Sequence, residues 1–242
     1  MSDATADVEL HGTGPRSGAL ISVLSVGLVL LAFLWPLGAH AAAIAAGIYA
    51  GIGAIVIAQV GAYHPFATFG SANLLTVIRA AMLGYLVPLI IISGLRDASG
   101  PMIFVLAVTI LLLDGVDGWL ARLQGMASRF GARFDMEVDA LLVMALSSYV
   151  WLADKAGPWV LLLGLMRYLF IAAGFAVPAL ARDLPPSRRR KIVCVVQIIL
   201  LAGMALPQIE APLSTILAFS ALVLLCWSFL VDVIWLMKAR RA

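Results

Sequence analysis

The chain has 242 residues, is 63% hydrophobic and only 12% charged, and carries a formal net charge of +3 with a mean hydropathy of +1.07. A soluble domain has about a quarter of its residues charged, so a water-soluble globular protein is excluded. A bilayer is the matching solvent, because about 20 apolar residues span its hydrocarbon core as a helix, and the chain reads as a polytopic membrane protein.

In chain order, residues 1–17 are polar and carry Asp3, Asp7, Glu9 and Arg16. They lack the basic n-region and cleavage site of a signal peptide, and a cytoplasmic tail is expected. Eight apolar segments follow, at about 18–36, 41–61, 73–94, 101–121, 132–153, 158–181, 191–208 and 212–237. Open strands would leave backbone groups unpaired in lipid, and the segments are too long for barrel strands. The expected fold is therefore all-α and membrane-integral, with eight transmembrane helices. The breaks carry Gly, Pro or charge, as in "WPLGAH", "AYHPFATFGSAN", "GLRDASGP", "ADKAGP", "RDLPPSRRRK" and "LPQIEAP".

The first two spans, 18–61, are uncharged, and packing or dimer contact is their plain reading. "GIYAGIGA" has the small-xxx-small spacing that permits close helix approach. Orientation follows from Lys and Arg. With the N-terminus inside, thirteen basic residues face inward: Arg16, Arg79, Arg122, Arg129, Arg133, Arg182, Arg188 to Lys191, Lys238, Arg240 and Arg241. Only Arg96 and Lys155 face outward, and Arg167 lies within a span. This is a strong positive-inside bias, and it brings both termini to the cytoplasmic side.

The stretch "LDGVDGWLARLQGMASRFGARFDMEVD", Leu113 to Asp139, joins the fourth span to the fifth on that side and holds four Asp, one Glu and three Arg. Asp114 and Asp117 are i,i+3, and Asp135 and Asp139 are i,i+4, so each pair shares a helix face. The short loop makes the two helices antiparallel neighbours whose acidic faces meet. Four carboxylates at one membrane edge repel unless a cation lies between them, and Mg²⁺ is held by a few carboxylates plus substrate phosphate. Paired metals suit phosphoryl chemistry. Gly118, Ala121 and Gly131 leave surface where a ligand can approach. Arg122 is placed to meet a phosphate, and Ser128 offers a hydroxyl. Ionisable groups at membrane depth are costly and usually functional. Glu137 falls on another face of its helix and is expected off this site.

The spacing D-x2-D-G-x2-A-R-x8-G-x3-D-x3-D, from Asp114 to Asp139, resembles the signature of the CDP-alcohol phosphotransferases. "ANLLTVIRAAMLG" resembles the P-N-x-L-T-x-x-R start of that family's first core helix, with Ala72 in place of Pro. The resemblance covers residues 72–237. It implies a six-helix catalytic core preceded by two additional helices. It further implies that Asp114, Asp117, Asp135 and Asp139 bind two Mg²⁺ or Mn²⁺ ions and that Asp139 is the general base. Gly118, Arg122 and Ser128, with Asn73 and Thr76, would hold the CDP moiety. The implied reaction moves a phosphatidyl group from CDP-diacylglycerol to a small polar alcohol and releases CMP, as in phospholipid biosynthesis. Transfer of a CDP-linked small alcohol to diacylglycerol is the alternative within the family. "DMEVDA" matches neither D-P-x-A-D-K nor D-S-x-A-D, so inositol phosphate, glycerol phosphate, serine and choline all stay open as acceptor.

Arg167 either meets a polar group of the acceptor or pairs with Asp232. "RDLPPSRRRK" reads as an anchor for anionic headgroups, with Arg188 to Lys191 as candidates for a phosphorylated acceptor. Arg129 and Arg133 are expected to meet lipid phosphate or offset local acid and not to act in chemistry. Cys194 and Cys226 read as buried free thiols, and His11, His40 and His64 are scattered with no metal-ligand spacing. The expected partners are both substrates, membrane lipids and a second copy of the chain, with no nucleic acid. A divalent-cation transporter is the reading from another class. It requires acids near the bilayer midplane, whereas these gather at one edge.

Overall fold

The computed structural model describes residues 14–182, 184–185 and 187–239. Most of the expected tail at 1–17 lies outside them, as do Arg240 and Arg241. The described elements are α1 (Pro15–Leu34), α2 (Ala39–Tyr63), α3 (Ser71–Ile91), a short α4 (Ser93–Arg96), α5 (Gly100–Leu123), α6 (Arg129–Leu152), α7 (Leu162–Ala176), α8 (Arg188–Gly203) and α9 (Leu213–Ala239). Among the described residues there is no strand.

All eight apolar segments are largely helical, but among the described residues six helices have the length and apolarity to cross a membrane: Pro15–Leu37, Ala39–Val60, Ser71–Ile91, Gly100–Leu123, Pro158–Ala176 and Leu213–Lys238. The other two fall short for identifiable reasons. Helix α6 carries Arg129, Arg133, Asp135, Glu137 and Asp139 in its first half. Helix α8 has 16 residues and opens on "RRRK", about 24 Å of helix. The expected span at 158–181 is not one α-helix: 3-10 turns at Pro158–Leu161 and Pro178–Ala181 flank α7. Pro178 has no N–H to continue the ladder of α7.

Helix α3 is the axis of the bundle. In its most apolar stretch 61% of residues are buried, against 17% to 28% in the other five membrane-length helices. It packs against α1, α2, α5 and α6. One apolar core joins α3, α5, α6, α8 and α9 through residues such as Leu86, Ile103, Leu146, Leu201 and Ala221. A second joins α1 and α2 to α3 and the start of α6 through Val23, Leu34, Tyr49, Val77, Phe130 and Phe134. Large apolar side chains on the outside, Phe175 and Leu28 among them, are exposed as lipid-facing groups must be. The close approach of α1 and α2 occurs at Gly53, where an added Cβ would lie 2.7 Å from Val23, whereas Gly47 and Gly51 of the small-xxx-small pattern face open space.

At the end of the bundle away from the acidic stretch, Lys155 is buried. Its Nζ donates to the carbonyls of Leu206 (3.0 Å) and Ile209 (2.9 Å) and lies 3.2 Å from Glu210 Oε1. Ser214 Oγ donates back to the Lys155 carbonyl at 2.5 Å. The turn after α6 is thereby tied to the loop between α8 and α9.

Candidate active site

Three helix ends build the site. The last turns of α5 present Asp114 and Asp117, the first turns of α6 present Asp135 and Asp139, and α3 faces both with Asn73, Thr76 and Arg79 at three-residue intervals. That interval keeps a set on one helix face. The two acidic pairs differ in access: the side chains of Asp114 and Asp117 are 7% and 5% exposed, those of Asp135 and Asp139 33% and 19%. The site therefore opens along the start of α6.

Asp114, Asp135 and Asp139 each offer a carboxylate oxygen within 4.8 Å of the others. Asp117 is turned to α3, where its Oδ2 accepts from Arg79 Nη1 at 2.8 Å and lies 3.1 Å from Thr76 Oγ1. The Thr76 hydroxyl is also 3.1 Å from the Ala72 carbonyl, so its single proton serves one acceptor at a time. Arg79, fully buried, is ion-paired with all four aspartates. One guanidinium against four carboxylates leaves three formal negative charges, and Lys191 Nζ lies 4.0 Å from Asp114 Oδ2. Three clustered carboxylates with net negative charge are a donor set that fits a hard divalent cation such as Mg²⁺ or Mn²⁺.

The remaining predicted residues lie around this centre. Ser128 is the N-cap of α6, its Oγ accepting from Gly131 N–H at 3.0 Å. Gly131 is where α6 meets α3, since a Cβ there would sit 3.0 Å from Asn73 Oδ1. Asn73 Nδ2 donates to the Phe69 carbonyl at 2.5 Å. Arg122 folds back over Gly118, where an added Cβ would meet its Nη1 at 3.4 Å. Ser71 and Gln124 exchange hydrogen bonds of 2.8 and 3.0 Å and tie the start of α3 to the loop after α5.

Several placements differ from the sequence reading. Arg167 pairs with Glu137 Oε1 at 2.5 Å and not with Asp232. Asp232 is taken by Arg189 at 2.5 Å and Arg190 at 3.3 Å. Arg189 also donates to Ser228 and lies over the Trp227 ring. The basic run is thus divided: Arg189 and Arg190 brace α8 against α9, and Lys191 reaches toward the acidic centre. The sequence reading has Arg79 as an inner-side charge and as the closing residue of "NLLTVIR" but assigns it no place in the site, and that closing position is the signal available. His64 was one of three scattered histidines. Its ring packs on Phe66, Phe69 and Phe130, Nε2 donates to the Thr68 carbonyl at 2.8 Å, and Nδ1 lies 3.5 Å from Ser128 Oγ.

A family model described as CDP-alcohol phosphatidyltransferase matches residues 69–231, a range that begins just before α3 and holds all four aspartates. Comparison with curated proteins and with solved structures gave no match. The family's reaction is transfer of a substituted phosphate group from a CDP-alcohol. With its matched range covering most of the chain and its all-helical, membrane-length architecture, this chain belongs to the CDP-alcohol phosphatidyltransferase family.

Proposed function

We propose that the chain transfers the phosphatidyl group of CDP-diacylglycerol to the hydroxyl of a small polar alcohol, releasing CMP, with two Mg²⁺ or Mn²⁺ ions as cofactors. The observation that carries this reading is the meeting of buried Asp114 and Asp117 with half-buried Asp135 and Asp139 around one guanidinium at the ends of two helices. Bound divalent ions would neutralise charge developing on the diphosphate. Asp114, Asp135 and Asp139 would hold them through the clustered oxygens, with Asp117 completing the set from the α3 side.

Asp139 acts as general base. Its Oδ1 is held by Arg79 Nη2 at 2.6 Å, which leaves Oδ2 to take the alcohol proton as the oxygen attacks. The new bond joins the acceptor oxygen to the phosphorus bearing diacylglycerol, and the bond from that phosphorus to CMP breaks with its electron pair leaving on CMP. Arg122, Gly118, Ser128, Asn73 and Thr76 hold the CDP moiety, the guanidinium meeting phosphate and the small residues admitting the nucleotide.

The same reading takes all eight apolar helices as spans, α6 and α8 included. It divides the chain into a cytoplasmic tail at 1–17, two additional helices at 18–61 and a six-helix core at 72–237. Both termini and the site lie on the cytoplasmic side, where the basic residues collect, and the chain acts as a homodimer. The lipid tails then stay in the bilayer while nucleotide and acceptor arrive from water.

The test uses purified protein with Mn²⁺, CDP-diacylglycerol and a panel of alcohols, read as CMP release. A parallel arm offers CDP-linked small alcohols with diacylglycerol. Release with CDP-diacylglycerol and one class of alcohol is expected. Release only in the parallel arm reverses donor and acceptor, and no CMP in either arm refutes the transferase reading for this chain.

A further inference from the structure

We infer that Arg79 is the fixed cation that assembles the acidic centre across α3, α5 and α6 and shares its carboxylates with the divalent ions. The part of this that concerns divalent ions rests on the function proposed above. Among the described residues Arg79 is the largest side chain that is fully buried, and each of its terminal nitrogens serves two carboxylates. Nη1 contacts Asp117 and Asp135, and Nη2 contacts Asp139 at 2.6 Å and Asp114 at 3.3 Å. Its Nε is buried without a hydrogen-bond partner. The side chain is therefore committed to the carboxylates even though one of its own donors goes unsatisfied.

Arg79 takes one oxygen from each aspartate: Oδ1 of Asp114, Asp135 and Asp139, and Oδ2 of Asp117. Arg79 leaves the second oxygen of each carboxylate to other partners, those of Asp114 and Asp139 having only Lys191 Nζ and Cys194 Sγ at 4.0 Å, so the guanidinium and a divalent cation are compatible partners of one carboxylate set. Without the guanidinium, four like charges on α5 and α6 would face one another at low dielectric, where their repulsion is strong. Removing one partner of a buried ion pair is far more damaging than its net contribution suggests, because the other is left uncompensated. Here the uncompensated group is four carboxylates. Arg79 is thus a positioning residue: it holds the acids converged, and divalent ions bind to a set that is already in place.

The test is thermal unfolding of the full chain in detergent, in chelator and in excess MnCl2. The proteins are wild type, Arg79→Met, Arg79→Lys, Asp135→Asn and the double variant Arg79→Met with Asp135→Asn. In chelator, Arg79→Met is expected to melt roughly 10 °C below wild type. Arg79→Lys falls between them, since one ammonium replaces a fork of two nitrogens. Mn²⁺ raises the melting temperature of Arg79→Met by more than it raises wild type, because a larger negative charge awaits it. The decisive sign is that of Asp135→Asn, which lowers the melting temperature of wild type but raises that of Arg79→Met by relieving repulsion.

If Asp135→Asn destabilises both backgrounds, Arg79 is not the cation holding the acids together. An Mn²⁺ gain in Arg79→Met no larger than in wild type overturns the sharing of carboxylates. Should Arg79→Met yield no folded protein, recovery of monodisperse protein by Asp135→Asn supports the inference and its failure refutes it. If Mn²⁺ shifts no protein, wild type included, the proposed metal site falls, while the sign of the Asp135→Asn effect still decides the role of Arg79.

Discussion

Asp139 is approached from two helices other than its own. Arg79 of α3 holds Oδ1, and Cys194 Sγ of α8 lies 4.0 Å from Oδ2. A carboxylate so held keeps a fixed orientation, which the general base proposed above requires. Asp139→Asn preserves shape but removes the basic oxygen. Turnover is expected to fall at least 100-fold, roughly the contribution of one general base, while calorimetric affinity for a CDP-bearing ligand is retained. Substantial residual turnover would remove Asp139 from that role. Ser128 makes a different prediction. As N-cap of α6 it satisfies the Gly131 N–H, and capping serines contribute about 1 kcal/mol. Ser128→Ala should lower the melting temperature by about 2–4 °C and raise KM for the CDP donor more than it lowers kcat. A change confined to stability would leave Ser128 as a cap and nothing more.

Among the elements, α6 carries the most varied load. Its first half supplies acids to the site, while its second half, with Leu142, Leu146 and Val150, lies in the main apolar core. Its far end is fastened by Lys155, whose ammonium satisfies the carbonyls of Leu206 and Ile209. Lys155→Met keeps the aliphatic stem but leaves both carbonyls without that donor, at about 1–3 kcal/mol for each buried group. A clear drop in melting temperature is expected, with CDP affinity unchanged because the acidic centre is at the opposite end. An equal loss of CDP affinity would mean that the two ends of α6 are coupled. Helices α1 and α2 are also bound into the structure: Val23, Leu34 and Tyr49 share a core with Phe130 and Phe134 of α6. The Tyr49 hydroxyl donates to the Val23 carbonyl at 2.9 Å and locks α1 to α2.

For the molecule as a whole, the acidic centre with Lys191 lies at one end of the bundle and the buried Lys155 at the other. The loop before α5 carries Arg96 and Asp97, and the loop after α5 carries Gln124. With Cys194 and Cys226 replaced by serine, a cysteine at Asp97 should react with an impermeant maleimide in intact cells. A cysteine at Gln124 should react only after permeabilisation. The reverse pattern would invert the proposed orientation and put the site on the outer face.

The acidic stretch was legible because its information is local. Helical periodicity places Asp114 with Asp117 and Asp135 with Asp139, and a short loop forces the two faces together. Membrane character was legible from composition alone, since no soluble core can hide so many apolar residues. What the sequence could not decide is how residues far apart in the chain pair. Arg167 was expected at Asp232 or at a polar group of the acceptor, and only packing gave it Glu137 while Arg189 and Arg190 took Asp232. Arg79 lies 35 residues before the first of the acids it joins, and nothing local says that α3 runs down the centre of the bundle. Periodicity by itself determined which side chains share a helix face. Only the tertiary structure decided which faces meet, because a buried guanidinium finds its partners through the packing of three helices and not through spacing along one.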